Sequence, residues 1–310
     1  MTAPMVIVGA GQAGLQVAES LRAEGHDGAI VLIGEEAAAP YHRPPLSKGV
    51  LSGDMSAEQI EIRGPQALAR KGIDLRAGTR VVAIDRTARQ VRLADGDVLG
   101  YAGLALATGA RLRPLPVPGA GLAGLFGLRT LADTRALMAA LPASRRAVIV
   151  GGGFIGLEAA AVLAKQGKEI TVVEAAGRLM GRAVHPLVSA HFLELHRSHG
   201  VQVELDALVA EIQGEDGRAT GVRLADGRSF PADLVLVGVG VLANDQLAAA
   251  AGRECAGGDV GASSGRPHDP PVAGAGDGEA RRGAGQGGGG GADGQGAAVW
   301  RRGVVVVRAG

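Results

Sequence analysis

The stretch that decides the fold is Met-Val-Ile-Val-Gly-Ala-Gly-Gln-Ala-Gly, residues 5–14. Its first four residues are apolar, which predicts a buried parallel strand. The glycines follow at once in the spacing G-x-G-x-x-G, and a helical pattern then runs to Gly25. Residues 29–33 predict a second buried strand, and Glu35 comes directly after its end. Strand, glycine turn, helix, strand and carboxylate together predict a dinucleotide-binding βαβ unit.

Each glycine of the turn has a separate task. Gly9 permits the tight turn, Gly11 lets the backbone approach a pyrophosphate, and Gly14 lets the helix pack closely on the strand. The helix opens at Gln12-Ala13, where free N–H groups favour an anionic ligand. Glu35 can accept hydrogen bonds from the ribose of an adenosine. The alternative is a tight strand–helix turn that holds no ligand.

The same pattern returns later in the chain. Residues 147–150 predict a strand, Gly151-Gly152-Gly153-Phe154-Ile155-Gly156 forms the second glycine turn, and Glu174 follows the next predicted strand, residues 169–173. Two such units imply two dinucleotides held face to face. A carboxylate at position 174 would repel a 2′-phosphate, which favours NAD over NADP.

Composition sets the limits for the remaining interpretation. A chain of 310 residues suggests about two domains, and a net charge of +1 gives no signal for nucleic acid. The single cysteine, Cys255, excludes an internal disulfide and agrees with a cytoplasmic location. No apolar run approaches ~18 residues, and residues 1–4 are too short for a signal peptide, so we expect no membrane span.

Alternating segments predict two β-rich regions. The first is an insertion over residues 71–109, which ends in Thr108-Gly109, a hydroxyl followed by a residue that permits close backbone approach. Residues 111–121 are rich in Pro and Gly and predict a domain connection. The second region, residues 201–224, resembles the first, and residues 233–240 predict a closing buried strand.

The loop Tyr41-His42-Arg43-Pro44-Pro45-Leu46-Ser47-Lys48 is stiffened by its prolines, which argue against a regular helix across them. A stiff loop that carries Arg43 and Lys48 is suited to hold these two cations against a cofactor, but a solvated loop with two surface charges explains them equally well. His185, His191, His196 and His199 lack neighbouring metal ligands, so we expect exposed helix histidines rather than a metal site.

Four motifs carry a family resemblance: residues 8–14, 43–48, 107–110 and 151–158. The chain resembles the flavin-dependent, NADH-linked ferredoxin reductases of oxygenase systems, the putidaredoxin and rubredoxin reductase type of the two-dinucleotide flavoprotein superfamily. The resemblance implies an α/β fold with two Rossmann-like dinucleotide-binding domains of the three-layer ββα kind. It implies FAD on the first unit and NAD on the second.

The resemblance also implies the residues of each site. Those assigned to FAD are Gly9, Gly11, Gln12, Ala13, Gly14, Glu35, Arg43, Lys48, Val82, Ala107, Thr108, Gly109, Arg129 and Asp277. Those assigned to NAD are Gly151, Gly153, Ile155, Gly156, Glu158, Glu174, Arg182 and Gly238. Lys48 and Glu158 are expected next to the flavin and the nicotinamide, where the reaction takes place.

The reaction implied by the resemblance needs no nucleophile. A hydride passes from NADH to the flavin, and electrons leave singly to an iron–sulfur ferredoxin or rubredoxin. Residues 36–60 contain no cysteine, which argues against the thiol chemistry of related branches. Two alternatives remain: an NADH oxidase or diaphorase, and a non-catalytic nucleotide-binding remnant.

After Cys255 the sequence departs from the family pattern. Residues 256–298 are dominated by glycine, a composition that cannot bury enough apolar surface to fold. The expected domains are residues 1–113 for FAD, 114–243 for NAD, a degraded return segment at 244–280 and a low-complexity tail at 281–310. Asp277 is the expected flavin ligand of the return segment.

The family's C-terminal interface domain is expected to be missing, which predicts a bare edge on the first sheet and weakened FAD binding. A flexible remnant and a wrong reading frame of a GC-rich gene both explain this composition, and we favour the frame error.

Overall fold

The computed structural model describes residues 3–252, 300–301 and 304–308. The chain begins with the predicted strand, helix and strand of the first βαβ unit, followed by a short 3-10 helix, Pro44–Ser47, two further helices and a third strand. These elements are β1 (Met5–Val8), α1 (Gln12–Ala23), β2 (Ile30–Ile33), α2 (Gly49–Ser52), α3 (Pro65–Arg70) and β3 (Ile73–Arg76).

The prolines of the loop lie at the first positions of the 3-10 helix, where no intrahelical N–H is needed. The prediction of a stiff, non-helical loop is therefore wrong in this detail, because the prolines open a single helical turn rather than prevent one.

Strands at both ends of residues 71–109 belong to the parallel sheet, not to a β-rich insertion as predicted. The next elements are β4 (Val81–Asp85), β5 (Gln90–Leu93), β6 (Val98–Gly100) and β7 (Gly103–Leu106). β3 pairs with β2 and β7 pairs with β1, both in parallel. β7 is buried along its whole length, as a central parallel strand requires, whereas β4–β6 form a separate antiparallel sheet.

Two chain crossings connect the first unit with the second. β8 (Ala110–Leu112) lies inside the predicted connection and is followed by β9 (Leu125–Phe126), α4 (Leu131–Ala140), β10 (Arg146–Val150), α5 (Phe154–Lys165), β11 (Glu169–Val173), α6 (Pro186–Ser198) and β12 (Gln202–Glu204). The chain continues with β13 (Val209–Glu215), β14 (Arg218–Leu224), β15 (Ser229–Pro231), β16 (Leu234–Val237), β17 (Val241–Ala243) and α7 (Gln246–Ala250). β8 and β17 pair antiparallel, so the outgoing and returning crossings support each other.

The second unit repeats the architecture of the first. Its parallel sheet has the order β12-β11-β10-β16-β9, with β10 at the centre. β13 and β14 pair antiparallel within the predicted region, and β15, which lies beyond that region, extends their sheet. β12, expected in the same meander, pairs in parallel with β11. The prediction of two Rossmann-like α/β units is confirmed.

A further strand pairs with the first sheet at the edge that we expect to be unpaired. After β18 (Trp300–Arg301), β19 (Val304–Arg308) pairs antiparallel with β7, and the strand order is β18-β19-β7-β1-β2-β3. Four consecutive valines suit an extended strand, because β-branched side chains favour that conformation. Residues 304–308 of the predicted low-complexity tail, 281–310, therefore form a strand. Cys255, Asp277 and most of the predicted return segment lie outside the described residues.

Apolar side chains from both faces of each parallel sheet form the core. Ile7 and Leu32 are fully buried beneath Leu15 and Ala18 of α1, and Val148 and Val235 are buried on the antiparallel side of the second sheet. This packing fixes the carboxyl ends of β1 and β10, from which both glycine turns extend. Over the described part of the chain, no helix combines the length and apolar character needed to cross a membrane.

Candidate functional site

The first glycine turn is shaped by close backbone contacts. A Cβ at Gly9 would lie 2.1 Å from the carbonyl oxygen of Ala107, and a Cβ at Gly14 would lie 1.8 Å from the carbonyl oxygen of Gly9. Gly9 also has a φ of +112°, which side chains rarely adopt. Both positions therefore require glycine for packing, whether or not a ligand is present.

Gly11 is different, because a Cβ there would meet nothing within 4 Å. It is the N-cap residue of α1, and no side chain caps the helix. The first N–H groups of α1, beginning at the exposed Gln12 and Ala13, are thus left for an anion. Packing does not explain a glycine here, but close approach of a diphosphate does.

The second turn repeats this division of tasks. Added Cβ atoms at Gly151 and Gly156 would lie 2.5 Å from the carbonyl oxygen of Gly238 and 2.2 Å from that of Gly151. Gly153, the uncapped N-cap of α5, again has open space, and Ile155 is partly exposed in the first turn of the helix. The structure therefore brings Gly238 to the second turn, as it brings Ala107 to the first.

Glu35 and Glu174, the carboxylates that follow the second strand of each βαβ unit, differ in their contacts. Glu174 accepts hydrogen bonds from the backbone N–H of Gly152 at 2.6 Å and of Ala176 at 2.8 Å, so it lies against the glycine turn. Glu35 is exposed, and its nearest charged partner is Arg80, with N–O 3.6 Å. The fold therefore fixes the Glu174 carboxylate through backbone hydrogen bonds, whereas the Glu35 carboxylate is held only by its contact with Arg80.

Glu36, which follows Glu35 in the chain, anchors the loop that carries Arg43. The Arg43 guanidinium contacts Glu36 Oε1 at 2.6 Å and also donates to the carbonyl oxygen of Arg129 at 2.6 Å. The buried Tyr41 hydroxyl donates to Glu36 Oε2 at 2.5 Å and accepts from the N–H of Leu131 at 3.1 Å. Burial, together with the bond to Glu36, raises the pKa of Tyr41 to about 12.

Arg43 and Arg129 therefore lie close to each other, and their place next to the flavin and diphosphate stays a prediction. Burial lowers the pKa of Arg129, and the positive charge of Arg43 adds to this effect. Arg129 Nε donates to the carbonyl oxygen of Ala110 at 3.0 Å, next to Thr108-Gly109 at the end of β7. The Thr108 hydroxyl donates to the carbonyl oxygen of Asn244 at 2.5 Å, which ties this end of the strand to the returning crossing.

One carboxylate of the second unit contacts the proline loop of the first unit through both oxygens. Glu158, in α5, accepts from Lys48 Nζ at 2.8 Å through Oε1 and from the Ser47 hydroxyl at 2.5 Å through Oε2. Ser47 is buried, whereas the Lys48 side chain is about half exposed. The two predicted reaction-site residues thus meet, and sequence reasoning missed the serine that holds the second oxygen.

Two residues assigned by the resemblance stand apart from these contacts. Val82 is 46% exposed in β4, and Arg182 is exposed, with no hydrogen bond or ion pair to its side chain within residues 3–252. Their roles in ligand binding stay predictions, as do those of the other assigned residues. Asp277 lies outside the described residues.

The histidine prediction is wrong for His196. This side chain is 7% exposed and faces the space between α5 and α6, because the apolar face of α6 turns it inward. His185 caps α6 by accepting from the N–H of Leu187, and His191 and His199 are exposed. No group of His, Cys, Asp or Glu suited to a metal ion occurs within the described residues.

Comparison with known proteins identifies the family of this chain. The family model of the pyridine nucleotide-disulphide oxidoreductases matches residues 3–286. The chain belongs to this family. It is 45% identical over 248 residues to rhodocoxin reductase from Rhodococcus erythropolis, covering 80% of this chain and 58% of that one. This pyridine nucleotide-disulphide oxidoreductase therefore spans about three-fifths of that relative's length.

Two solved structures support the same assignment. A ferredoxin reductase from Rhodopseudomonas palustris matches with a TM-score of 0.78 and 43% identity, over 81% of this chain and 62% of that chain. The covalent complex of putidaredoxin reductase with putidaredoxin matches with a TM-score of 0.77 and 43% identity, over 81% and 61%.

The residues present fit two dinucleotides. Each glycine turn of this pyridine nucleotide-disulphide oxidoreductase leaves open space at the one glycine that packing does not require. Each turn also ends in a helix N-terminus without a side-chain cap, a donor set suited to a diphosphate.

Proposed function

We propose that this chain carries the cofactor-binding part of an NADH-dependent flavoprotein reductase, which passes electrons through FAD to an iron–sulfur ferredoxin or rubredoxin. The observation that carries the proposal is the contact of Lys48 and Ser47 with Glu158, because it places the loop of one dinucleotide unit against the first helix of the other. The names of the matched relatives, rhodocoxin reductase and putidaredoxin reductase, support the choice of acceptor.

The first unit is assigned to FAD. Gly11 and the N-terminus of α1 would receive the diphosphate, and Arg43 and Arg129 lie together as cations for the same group or the flavin. Thr108 and Gly109 end the strand next to the first glycine turn. The Glu35 carboxylate, which accepts no backbone hydrogen bond from residues 3–252, would accept from the adenosine ribose.

The second unit is assigned to NADH. Gly153 and the N-terminus of α5 would receive its diphosphate, and Glu174 its ribose. Each Glu174 oxygen accepts one backbone N–H and retains capacity for a ribose hydroxyl. The negative charge there disfavours a 2′-phosphate, so we propose NADH rather than NADPH as the electron donor.

When both groups are bound, the nicotinamide supplies a hydride to the flavin, and the flavin releases electrons singly. The chain's own residues orient these two groups. Glu158 is held through both oxygens, which fixes the start of α5 relative to the loop that carries Lys48. The Glu36 and Tyr41 contacts hold Arg43 in one position before any ligand arrives.

The proposal does not include thiol chemistry. Residues 36–60, which contain the loop next to Glu158, have no cysteine. We therefore propose that electrons leave the flavin directly for a protein acceptor. A cytoplasmic location, where NADH is available, is part of the proposal, and so are the domain limits at residues 113, 243 and 280.

A visible absorption spectrum of the purified chain, incubated with FAD and freed of excess, tests the proposal. We expect a bound-flavin spectrum that bleaches on anaerobic addition of NADH and recovers when an oxidised [2Fe–2S] ferredoxin is added. Recovery with oxygen or a quinone but not with ferredoxin would favour an NADH oxidase or diaphorase. A colourless chain that still binds NADH would contradict the reductase and leave a nucleotide-binding remnant.

A further inference from the structure

The loop between β11 and α6, residues 174–185, packs against the second glycine turn. The N–H of Met180 donates to the carbonyl oxygen of Gly152 at 2.9 Å. Glu174, the first residue of the loop, accepts from the N–H of Gly152 at 2.6 Å. A Cβ at Gly152 would lie 2.6 Å from Leu179 Cδ2, so glycine lets the loop pack this closely. Both backbone polar groups of Gly152 are therefore bonded to this loop.

The bond from Met180 also sets the direction of a neighbouring N–H group. The peptide between Gly152 and Gly153 is planar and trans, so its carbonyl and its N–H point in opposite directions. Because Met180 holds the carbonyl on the loop side, the N–H of Gly153 faces away from the loop. Two consecutive glycines would otherwise leave this plane a wide choice of orientations. Gly153 is the uncapped N-cap of α5, where open space is proposed to receive the diphosphate of NADH.

Met180 makes this bond from an unusual backbone conformation. Its φ is +49°, in the left-handed region, and its side chain is buried. A residue other than glycine pays free energy for this conformation, which persists only where the surrounding contacts hold it. The carbonyl that precedes Met180 is held by the buried Ser189, whose hydroxyl donates to the oxygen of Leu179 at 2.7 Å. The loop is therefore fixed on the N-terminal side of Met180.

Arg178 fixes the other side. Its guanidinium donates to the carbonyl oxygen of Gly181, which directly follows Met180, and to that of Val184 at 2.8 Å. Both acceptors are backbone carbonyls, so the guanidinium acts on the course of the chain. A planar fork of donors suits two such acceptors better than a single ammonium group does. The contacts of Arg178 thus close residues 178–184 into one loop around Met180.

We propose that Arg178 is a positioning residue of the second nucleotide site. Its bonds to Gly181 and Val184 keep the Met180 N–H on Gly152, which aims the N–H of Gly153 at the diphosphate of NADH. The inference rests on the proposed function, because it needs NADH at the second glycine turn. Arg178 acts through Met180 and Gly152, without contact with the nucleotide.

The experiment measures two quantities on the purified full chain. Calorimetric titration with NAD⁺ gives the Kd. Amide hydrogen exchange without ligand reports how firmly the Met180 N–H is held. Arg178→Met removes the donors and keeps an unbranched side chain. We expect it to raise the Kd for NAD⁺ by about five- to tenfold, the scale of one hydrogen bond, and to speed exchange at Met180.

Two further variants separate positioning from stability. Arg178→Lys retains one charged donor for a single carbonyl, so the Kd should rise by only about two- to threefold. Arg197→Met is the matched control, because the guanidinium of Arg197 also donates to a backbone carbonyl, that of Val203 at 3.1 Å, but belongs to α6. It should bind NAD⁺ as the unchanged chain does, with normal exchange at Met180.

The role of Arg178 is overturned if the unchanged chain binds NAD⁺ and Arg178→Met binds it equally well, or if exchange at Met180 stays the same. An equal loss in Arg197→Met would also overturn it, since the effect would then be general. If the unchanged chain fails to bind NAD⁺, the assignment of the second unit falls as well, which distinguishes the two failures.

Ser189→Ala keeps the inference testable should thermal unfolding show that Arg178→Met is misfolded. This substitution releases the carbonyl of Leu179, on the opposite side of Met180 from the contact of Arg178 with Gly181. We expect the Kd for NAD⁺ to rise by about three- to fivefold. Unchanged binding by Ser189→Ala would show that the loop does not position the turn.

Discussion

Glu158 Oε1 lies 2.8 Å from Lys48 Nζ, so one carboxylate of the second dinucleotide unit is paired with a cation of the first. The pair is partly exposed and contributes at most about 1 kcal/mol to the free energy of unfolding. Its importance is geometric. Together with the Ser47 hydroxyl, it fixes where the first helix of the second unit meets the proline loop.

Ser47→Ala tests this arrangement. The substitution removes the buried hydroxyl that holds Glu158 Oε2, so the carboxylate keeps only its exposed partner. We expect the rate of flavin reduction by NADH, measured anaerobically in a stopped-flow instrument, to fall about tenfold, the effect of one hydrogen bond to a charged group. The affinity for FAD should change little.

Ser52→Ala is the control for that measurement, because the Ser52 hydroxyl bonds to Asp54 and to the carbonyl oxygen of Gly49, away from Glu158. Equal rates for Ser47→Ala and the unchanged chain would show that Lys48 alone positions the carboxylate.

Gly11→Ala and Gly14→Ala should separate ligand binding from folding. At Gly14 the new Cβ would meet a backbone oxygen at 1.8 Å, and we expect a loss of about 3 kcal/mol or more in the free energy of unfolding. At Gly11 the Cβ has open space, so stability should stay within about 0.5 kcal/mol.

Gly11→Ala should nevertheless lower the affinity for FAD, because the added methyl group occupies the space through which the diphosphate approaches. We expect a loss of at least about tenfold, measured by fluorescence titration with FAD. Normal FAD binding by this variant would remove the first glycine turn from the proposed site.

Tyr41→Phe should destabilise the fold. The hydroxyl is buried, and its removal takes the acceptor from the N–H of Leu131 and the donor from Glu36 Oε2, while Glu36 Oε1 keeps its contact with Arg43. We expect a loss of about 2–3 kcal/mol in urea unfolding. Tyr101→Phe is the matched control, since Tyr101 is also buried but residues 3–252 provide no hydrogen bond to its hydroxyl, and it should lose less than about 0.5 kcal/mol.

Asp233→Asn should change stability in a pH-dependent way. Burial alone would raise the pKa of Asp233, but hydrogen bonds from the backbone N–H and guanidinium of Arg146, and from the N–H of Arg145, lower this pKa to about 2. The depressed pKa means that the carboxylate stabilises the fold above pH ~4 and loses this contribution as the pH falls towards about 2.

The variant should therefore be about 1–2 kcal/mol less stable than the unchanged chain near pH 6, with the difference shrinking below pH ~4. Urea unfolding at a series of pH values measures this. Asp74→Asn, which changes a carboxylate paired only at the surface with Arg76, is the control and should show a difference below about 0.5 kcal/mol at every pH.

The repeated βαβ units could be predicted because short-range physics decides them. Apolar runs followed by glycines at fixed spacing leave few alternatives, and the strands and first helices formed as expected. The sheet membership of β3, β7 and β12 could not be read in the same way. A short apolar run suits either a parallel or an antiparallel neighbour, and only long-range pairing decides between them.

The candidate site could likewise be predicted only in part. Lys48 and Glu158 were expected near each other, but only from family resemblance, since nothing local links residues so far apart in the chain. Ser47, Glu36 and Tyr41 give no sequence signal beyond a hydroxyl or carboxylate near a cation. The spacing of the four histidines does not predict that His196 is buried, whereas the apolar side chains around it on α6 indicate which face turns inward.

The position of Glu158 one turn after the second glycine turn has a further consequence. Any shift of α5 that accompanies nucleotide binding at its N-terminus also moves the carboxylate that holds Ser47 and Lys48. If binding at the proposed second site shifts α5, the occupancy of one proposed nucleotide site alters the affinity of the other, and thermodynamic reciprocity requires the same factor in both directions. A donor that binds more tightly to the flavin-loaded chain must, to the same degree, slow the escape or speed the capture of the flavin.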